Sequence, residues 1–381
     1  MSLKVLTRIP HGNAAAVEIA DGGDMPEVRF AADPHCGAKC LWFLFRLAES
    51  DPDPGRQAKV RLVLKHFDNL FGASNTTDFI PVCQPSGQAW TRLKRGEEQR
   101  APDGRIRVAW QIPHPSPWTD IAFCYPYGPA DLDAMVGRSK EYWRKDEIGI
   151  SRYGGSILRL SNTGGAVGSR QPGLFLIAQQ NAGETPGSMV ADGMLQYFSQ
   201  VRKSGYTVWA VPIADIDGAM DGDFGRNRPG GALSEAWGEP PGYHEAQVIA
   251  RDIARWKERC RPALALDFCA PGACDKDGVR CLLPDDAADA AMAAEANKWA
   301  NAFQNELKSE FAAADFKRAE PAQAAPGATS FAAFMRKAMG VCAFTIEVPY
   351  ALAGETVLTK KHYREIGQRL AAAFCRRHSG G

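Results

Sequence analysis

Between residues 178 and 188 the chain reads Ala-Gln-Gln-Asn-Ala-Gly-Glu-Thr-Pro-Gly-Ser, and there Asn181 and Glu184 emerge three residues apart where a buried strand turns into a helix. In an α/β sheet, the crevice at the carboxyl ends of the strands collects ligands, which makes this pair a candidate binding or catalytic element. The same residues admit a plainer role, in which Glu184 and Thr185 cap the free N–H groups of a helix start. Other chemistry-bearing clusters fare less well. Cys36 and Cys40 are separated by three residues, and Cys269, Cys274 and Cys281 by four and six, whereas structural zinc sites use close, regular pairs. The ten cysteines therefore read as reduced thiols packed as small apolar groups. Asp215, Asp217, Asp221 and Asp223 lack the spacing and terminal glutamate of a calcium loop and read as a solvated acidic turn. His11, His35, His66 and His114 form no ligand pair at helical spacing, and His244 stands at a helix start.

Two kinds of scaffold must position these residues. Up to about residue 118 the chain alternates short apolar segments with Pro- and Gly-rich turns, which predicts a β-sandwich with strands at 27–31, 41–47, 60–67, 78–82, 106–111 and 120–125. Beyond Trp118 the rhythm becomes strand, helix, strand. Strands are expected at 174–178, 207–212, 263–268 and 343–348, with helices at 186–202, 245–260, 286–314 and 361–377 and a loop at 321–329. The division falls into a β-sandwich domain at 1–118 and an α/β domain at 119–381.

Composition bounds the partners. Lys and Arg number 45 against 44 Asp and Glu, for a formal charge of +1, so no global field favours nucleic acid or an anionic membrane. No apolar run approaches the ~20 residues of a membrane span. The opening Met-Ser-Leu-Lys-Val-Leu-Thr-Arg does not look like a secretory signal, and a cytoplasmic location is the expectation.

Several segments, taken in order, resemble the zinc carboxypeptidases, and within them the cytosolic carboxypeptidase branch, which places a β-sandwich before the peptidase domain. Residues 122–127 (Ala-Phe-Cys-Tyr-Pro-Tyr) with Asp131 and Leu132 look like that branch's domain junction, and 182–188 like its first metal-ligand segment. Residues 215–218 (Asp-Ile-Asp-Gly) are similar to the family's Asn-Pro-Asp-Gly, 233–237 to Asp-Leu-Asn-Arg-x-Trp, and 266–269 to Asp-Leu-His. Residues 344–347 resemble the segment that carries the catalytic glutamate. The resemblance implies an N-terminal antiparallel β-sandwich followed by an α/β/α carboxypeptidase-like domain with a mixed sheet.

It also implies a changed site. The family's His-x-x-Glu and later His fall on Asn181, Glu184 and Cys269, so one of three zinc ligands is kept and zinc is expected to be absent or weakly bound. The family's carboxylate-holding Asn-Arg pair falls on Ser234 and Glu235, where a cation has become an anion. The arginine that polarises the scissile carbonyl falls near Gly225, with Arg226 and Arg228 close enough to supply that charge after a loop shift. Glu347 keeps the position of the general base.

Three functions compete. In the first, the cleft has lost the zinc reaction and binds a peptide or protein tail, a basic one by the charge of Glu184, Glu235 and Glu347; an inward Arg226 or Arg228 would cancel that field. The second is an active hydrolase with a zinc site rebuilt on Glu184 and Cys269. The third uses Cys269 as a nucleophile, for which no histidine is placed.

Overall fold

The computed structural model describes residues 3–20, 25–35, 39–49, 59–113, 117–202, 205–226, 231–284, 290–321 and 328–378. The first part is a sandwich of two five-stranded sheets. One sheet runs in the order Leu3–Leu6, Leu44–Glu49, Trp118–Ala122, Val82–Pro85, Thr91–Arg92. The other runs Ala15–Ala20, Glu27–Ala31, Lys59–Leu64, Ile106–Pro113, Glu97–Arg100. All neighbours are antiparallel except Glu27–Ala31 with Lys59–Leu64. Alternation aims Val28 and Phe30 inward, and Phe30 meets Phe43 and Phe45 edge-to-face at centroid distances of 5.0 and 4.7 Å.

Two details depart from the sequence reading. The strand expected at 78–82 begins only at Val82, because the Asn75 side chain accepts the Thr77 N–H (3.0 Å) and winds Thr76–Asp78 into a 3₁₀ turn. Trp118–Ala122 is the central strand of its sheet, so the sandwich continues past residue 118 to Ala122.

The second part is built on an eight-stranded mixed sheet, ordered Arg144–Ile150, Ser156–Ser161, Thr207–Val211, Pro172–Ala178, Arg261–Cys269, Ala343–Glu347, Val279–Leu283, Ala312–Ala319. The four strands from Thr207–Val211 to Ala343–Glu347 are mutually parallel and buried on both faces, as their continuous apolar runs require. Leu174 and Leu176 face one side, where the helices Thr185–Val201, Ala290–Phe311 and Lys360–His378 pack. Phe175 and Ile177 face the other, against His244–Glu258 and Phe331–Lys337. The helix expected over 286–314 ends at Phe311, and Ala312–Ala319 pairs instead as an edge strand that buries Ala313 and Phe316. Burial of two side chains in the core overrides the helical preference of the alanines. Of the loop expected at 321–329, residues 322–327 lie outside the described residues.

Candidate active-site cleft

Three parallel strands end side by side, and the ends carry the candidates. Pro172–Ala178 leads into Gln179, whose positive φ of 51° turns the chain sharply out of the sheet. The Gln179 side chain secures the turn by donating to the Ala182 carbonyl at 2.7 Å. Asn181 then accepts the Glu184 N–H through its backbone carbonyl (2.9 Å), and the helix starts at Thr185. Arg261–Cys269 and Ala343–Glu347 lie in parallel register with Cys269 opposite Glu347.

Glu184 occupies the helix N-cap position, yet its side chain caps nothing. It is 1 % exposed, and its carboxylate turns to three other donors. Asn181 Nδ2 donates to Oε1 at 2.9 Å, the Ala270 N–H donates to Oε2 at 3.3 Å, and Arg226 Nε donates to Oε1 at 2.7 Å. The capping role that the sequence allowed is thus not the one Glu184 plays. Asn181, with its N–H toward Glu184, accepts the Ser234 hydroxyl on Oδ1 at 3.2 Å. Arg226 Nη2 also donates to the Ala270 carbonyl at 3.3 Å. Burial works against this guanidinium's charge, but adjacent Glu184 outweighs it and holds the pKa above the ordinary arginine value.

Arg226 reaches inward because of the residue before it. Gly225 has φ +90°, and a Cβ there would lie 2.3 Å from the Ala182 nitrogen, so only glycine brings this loop so close to the strand–helix turn. The sandwich supports the same loop. Phe71 lies under the guanidinium at 5.2 Å and beside Phe224 at 5.8 Å, Asn13 Nδ2 donates to the Gly222 carbonyl at 2.8 Å, and His35 pairs with Asp223.

Cys269 is driven the other way. Burial, with Glu347, Glu184 and Asp267 adding to it, pushes its thiol pKa well above the ordinary value, so it stays a neutral thiol near pH 7. Behind it, Trp237 Nε1 donates to Gln180 Oε1 (2.6 Å), Gln180 Nε2 to Asp267 Oδ1 (2.7 Å) and Thr345 Oγ1 to Asp267 Oδ2 (3.2 Å). Asp267 is nevertheless pushed up to about 7, chiefly by burial. Glu347, with its side chain 19 % exposed, faces Arg280 Nη1 at 3.7 Å. Burial raises its pKa and Arg280 opposes the rise. That guanidinium is shared, since it also contacts Asp275 (2.8 Å), Asp315 (3.4 Å) and Asp277.

The structure therefore brings Asn181, Glu184, Cys269, Ser234, Arg226 and Glu347 to one cleft. Glu235 stands on the same 3₁₀ turn as Ser234, with no hydrogen bond or ion pair from its carboxylate to the cluster among the described residues. Arg228 lies outside the described residues. The negative field expected of bare carboxylates is cancelled at Glu184 by Arg226, whereas at Glu347 it is only partly offset, because Arg280 is shared with three aspartates. Among the described residues, no group of three or more His, Cys, Asp or Glu side chains is arranged to hold a metal ion.

Sequence reasoning missed Arg280, Phe71 and Tyr350. Tyr350 is buried beside Glu184, Arg226 and Cys269, and its hydroxyl has no hydrogen-bond partner among the described residues. Arg280 carries no sequence signal beyond a pair of nearby aspartates, and the contact of Phe71 comes from the other domain.

A β-sandwich followed by this mixed sheet, with helices on both faces and a cleft at the parallel strand ends, is the metallo-carboxypeptidase-like fold. Among solved structures, the chain is similar to a metallo-carboxypeptidase from Burkholderia cenocepacia, at 16% identity over 99% of each chain with a TM-score of 0.77. It is also similar to a Pseudomonas aeruginosa metallo-carboxypeptidase in complex with (2-guanidinoethylmercapto)succinic acid, at 19% identity over 99% of this chain and 98% of the other, with a TM-score of 0.73. No protein-family model matches the chain, and no curated protein does. Among the described residues, no helix is long and apolar enough to cross a membrane.

Proposed function

We propose that the chain is a carboxypeptidase-fold protein of the cytosolic carboxypeptidase-like branch whose metal site is degenerate, and that its cleft binds a peptide segment without hydrolysing it. The observation that carries this reading is the Arg226–Glu184 contact at 2.7 Å, which commits the one family ligand carboxylate to a guanidinium. The rest of the donor set fits zinc no better. Asn181 offers an amide whose N–H faces Glu184, and Cys269 would have to give up its proton from a buried, carboxylate-flanked position to bind zinc. A general base at Glu347 without a Lewis acid leaves both the water and the oxyanion unassisted, so peptide hydrolysis is not sustained.

A basic segment is the favoured ligand, on the strength of the cleft's rim rather than its floor. Around Glu347 the carboxylates of Asp275, Asp277, Asp315 and Glu347 outnumber the two guanidinium groups they face, Arg280 and Arg318. Asp277 and Asp315 with Glu355 line a pocket of about 460 Å³ whose Lys276 pairs with Asp78 of the sandwich at 3.0 Å. Calorimetry with a lysine-rich amidated peptide and its free-carboxylate counterpart tests the binding, and a hydrolysis assay with zinc supplied tests the chemistry. Tighter binding of the amidated peptide, with no hydrolysis of the other, is expected. Turnover that depends on zinc would instead support a hydrolase rebuilt on Glu184 and Cys269.

A further inference from the structure

We propose that Arg226 is an internal occupant of the old metal position, a fixed side-chain cation that excludes divalent ions from the cleft whether or not histidines are present there. The inference rests on the degenerate-site reading above, but goes beyond the loss of ligands. It says that an obstacle has been added, and names it.

Four observations support it. Arg226 places Nε and Nη2 each 2.7 Å from the same Glu184 oxygen, the atom a bound cation would need. Guanidinium does not lose its proton in proteins, so the cation cannot be discharged to make way. The side chain is built in from three sides: the Ala270 carbonyl accepts from Nη2 at 3.3 Å, Phe71 packs under the guanidinium at 5.2 Å, and Gly225 holds the backbone against Ala182. Finally, the loop that carries Arg226 is tied to the sandwich through Gly222 and Asp223, so its backbone is held in place from the other domain. A dication entering this site would meet a positive charge at hydrogen-bond range in a poorly solvated cleft.

The test is zinc titration of four folded proteins: the wild type, Asn181→His/Cys269→His, the same pair with Arg226→Met, and Arg226→Met alone. The pair that restores the histidines is expected to bind zinc weakly, and the triple variant to bind one equivalent about 100-fold more tightly. Equal affinity of the two overturns the occupant role of Arg226, whether both are tight or both weak. Tight stoichiometric zinc on the wild type marks a different failure, that of the degenerate-site reading itself. Should the triple variant not fold, Arg226→Ala gives an independent reading. Millimolar guanidinium ion is expected to raise its melting temperature saturably while leaving the wild type unchanged, and no rise in the variant overturns the proposal.

Discussion

Glu184 and Glu347 share one cleft, yet their charges are managed in opposite ways. Glu184 is sealed, with two N–H donors and a guanidinium committed to it. Glu347 keeps 19 % of its side chain exposed and shares Arg280 with three aspartates. The difference teaches that a fully buried carboxylate needs a cation of its own, whereas one at the rim can share a cation and stay in contact with solvent. Glu184 is part of the framework, and Glu347 is the more accessible of the two carboxylates.

The comparison breaks most visibly at Arg226. Arg226→Met leaves Glu184 buried without a cation and is expected to cost roughly 3–5 kcal/mol, read from denaturant unfolding at pH 7. Adding Glu184→Gln should return most of that loss, since removing both partners of a buried pair is far cheaper than removing one. If the single variant is as stable as the wild type, the Glu184–Arg226 contact has no structural weight.

Asp267 supplies the next effect. Its folded-state pKa of about 7 lies above the ordinary 3.8, so the folded protein holds the proton more tightly than the unfolded chain. The stability this brings is complete below the unfolded value and is lost as pH rises through about 7. Asp267→Asn can keep the Gln180 bond and reverse the Thr345 hydroxyl, so it should match the wild type near pH 4. By pH 8 it should exceed the wild type by at most roughly 4 kcal/mol, at about 1.4 kcal/mol per pH unit. A pH-independent difference in unfolding free energy would contradict this.

A smaller change follows at Glu347, whose raised pKa has the same sign: stability is lost as pH rises through its folded value. Glu347→Gln should therefore be slightly more stable than the wild type at pH 8 and equal to it well below the ordinary glutamate pKa. The gain should be less than for Asp267→Asn, because Glu347 is partly solvated and partly compensated by Arg280. The slightest effect is at Cys269, which should react with iodoacetamide at pH 8 much more slowly than the same thiol in urea, as mass spectrometry of the labelled peptide would show.

Much of this cleft was legible in the sequence, for reasons that also mark the limit. Apolar runs such as 174–178 and 343–348 announce doubly buried strands, and the turn chemistry around Gly183 and Pro186 places Asn181 and Glu184 at a strand end. The two expectations that failed locally, a strand at 78–82 and a helix through Ala314, failed where one side-chain hydrogen bond or two buried side chains outweighed local preference. Arg226 was visible as a nearby charge, but its direction depends on the φ of Gly225 and on Phe71, more than 150 positions away in the chain. Arg280 was nearly invisible because, beyond the neighbouring Asp275 and Asp277, its partners Asp315 and Glu347 are gathered by the sheet order and not by spacing. Long-range register decides where a cation points, and no local pattern records it.

Zinc titration of the unaltered protein at neutral pH, with elemental analysis of the same sample, tests the Glu184–Arg226 replacement most directly. Far less than one zinc per chain, with no saturable heat on titration, is the expected result. One tightly held zinc per chain would mean that Arg226 leaves Glu184 when metal is offered, and that the cleft is still a metal site.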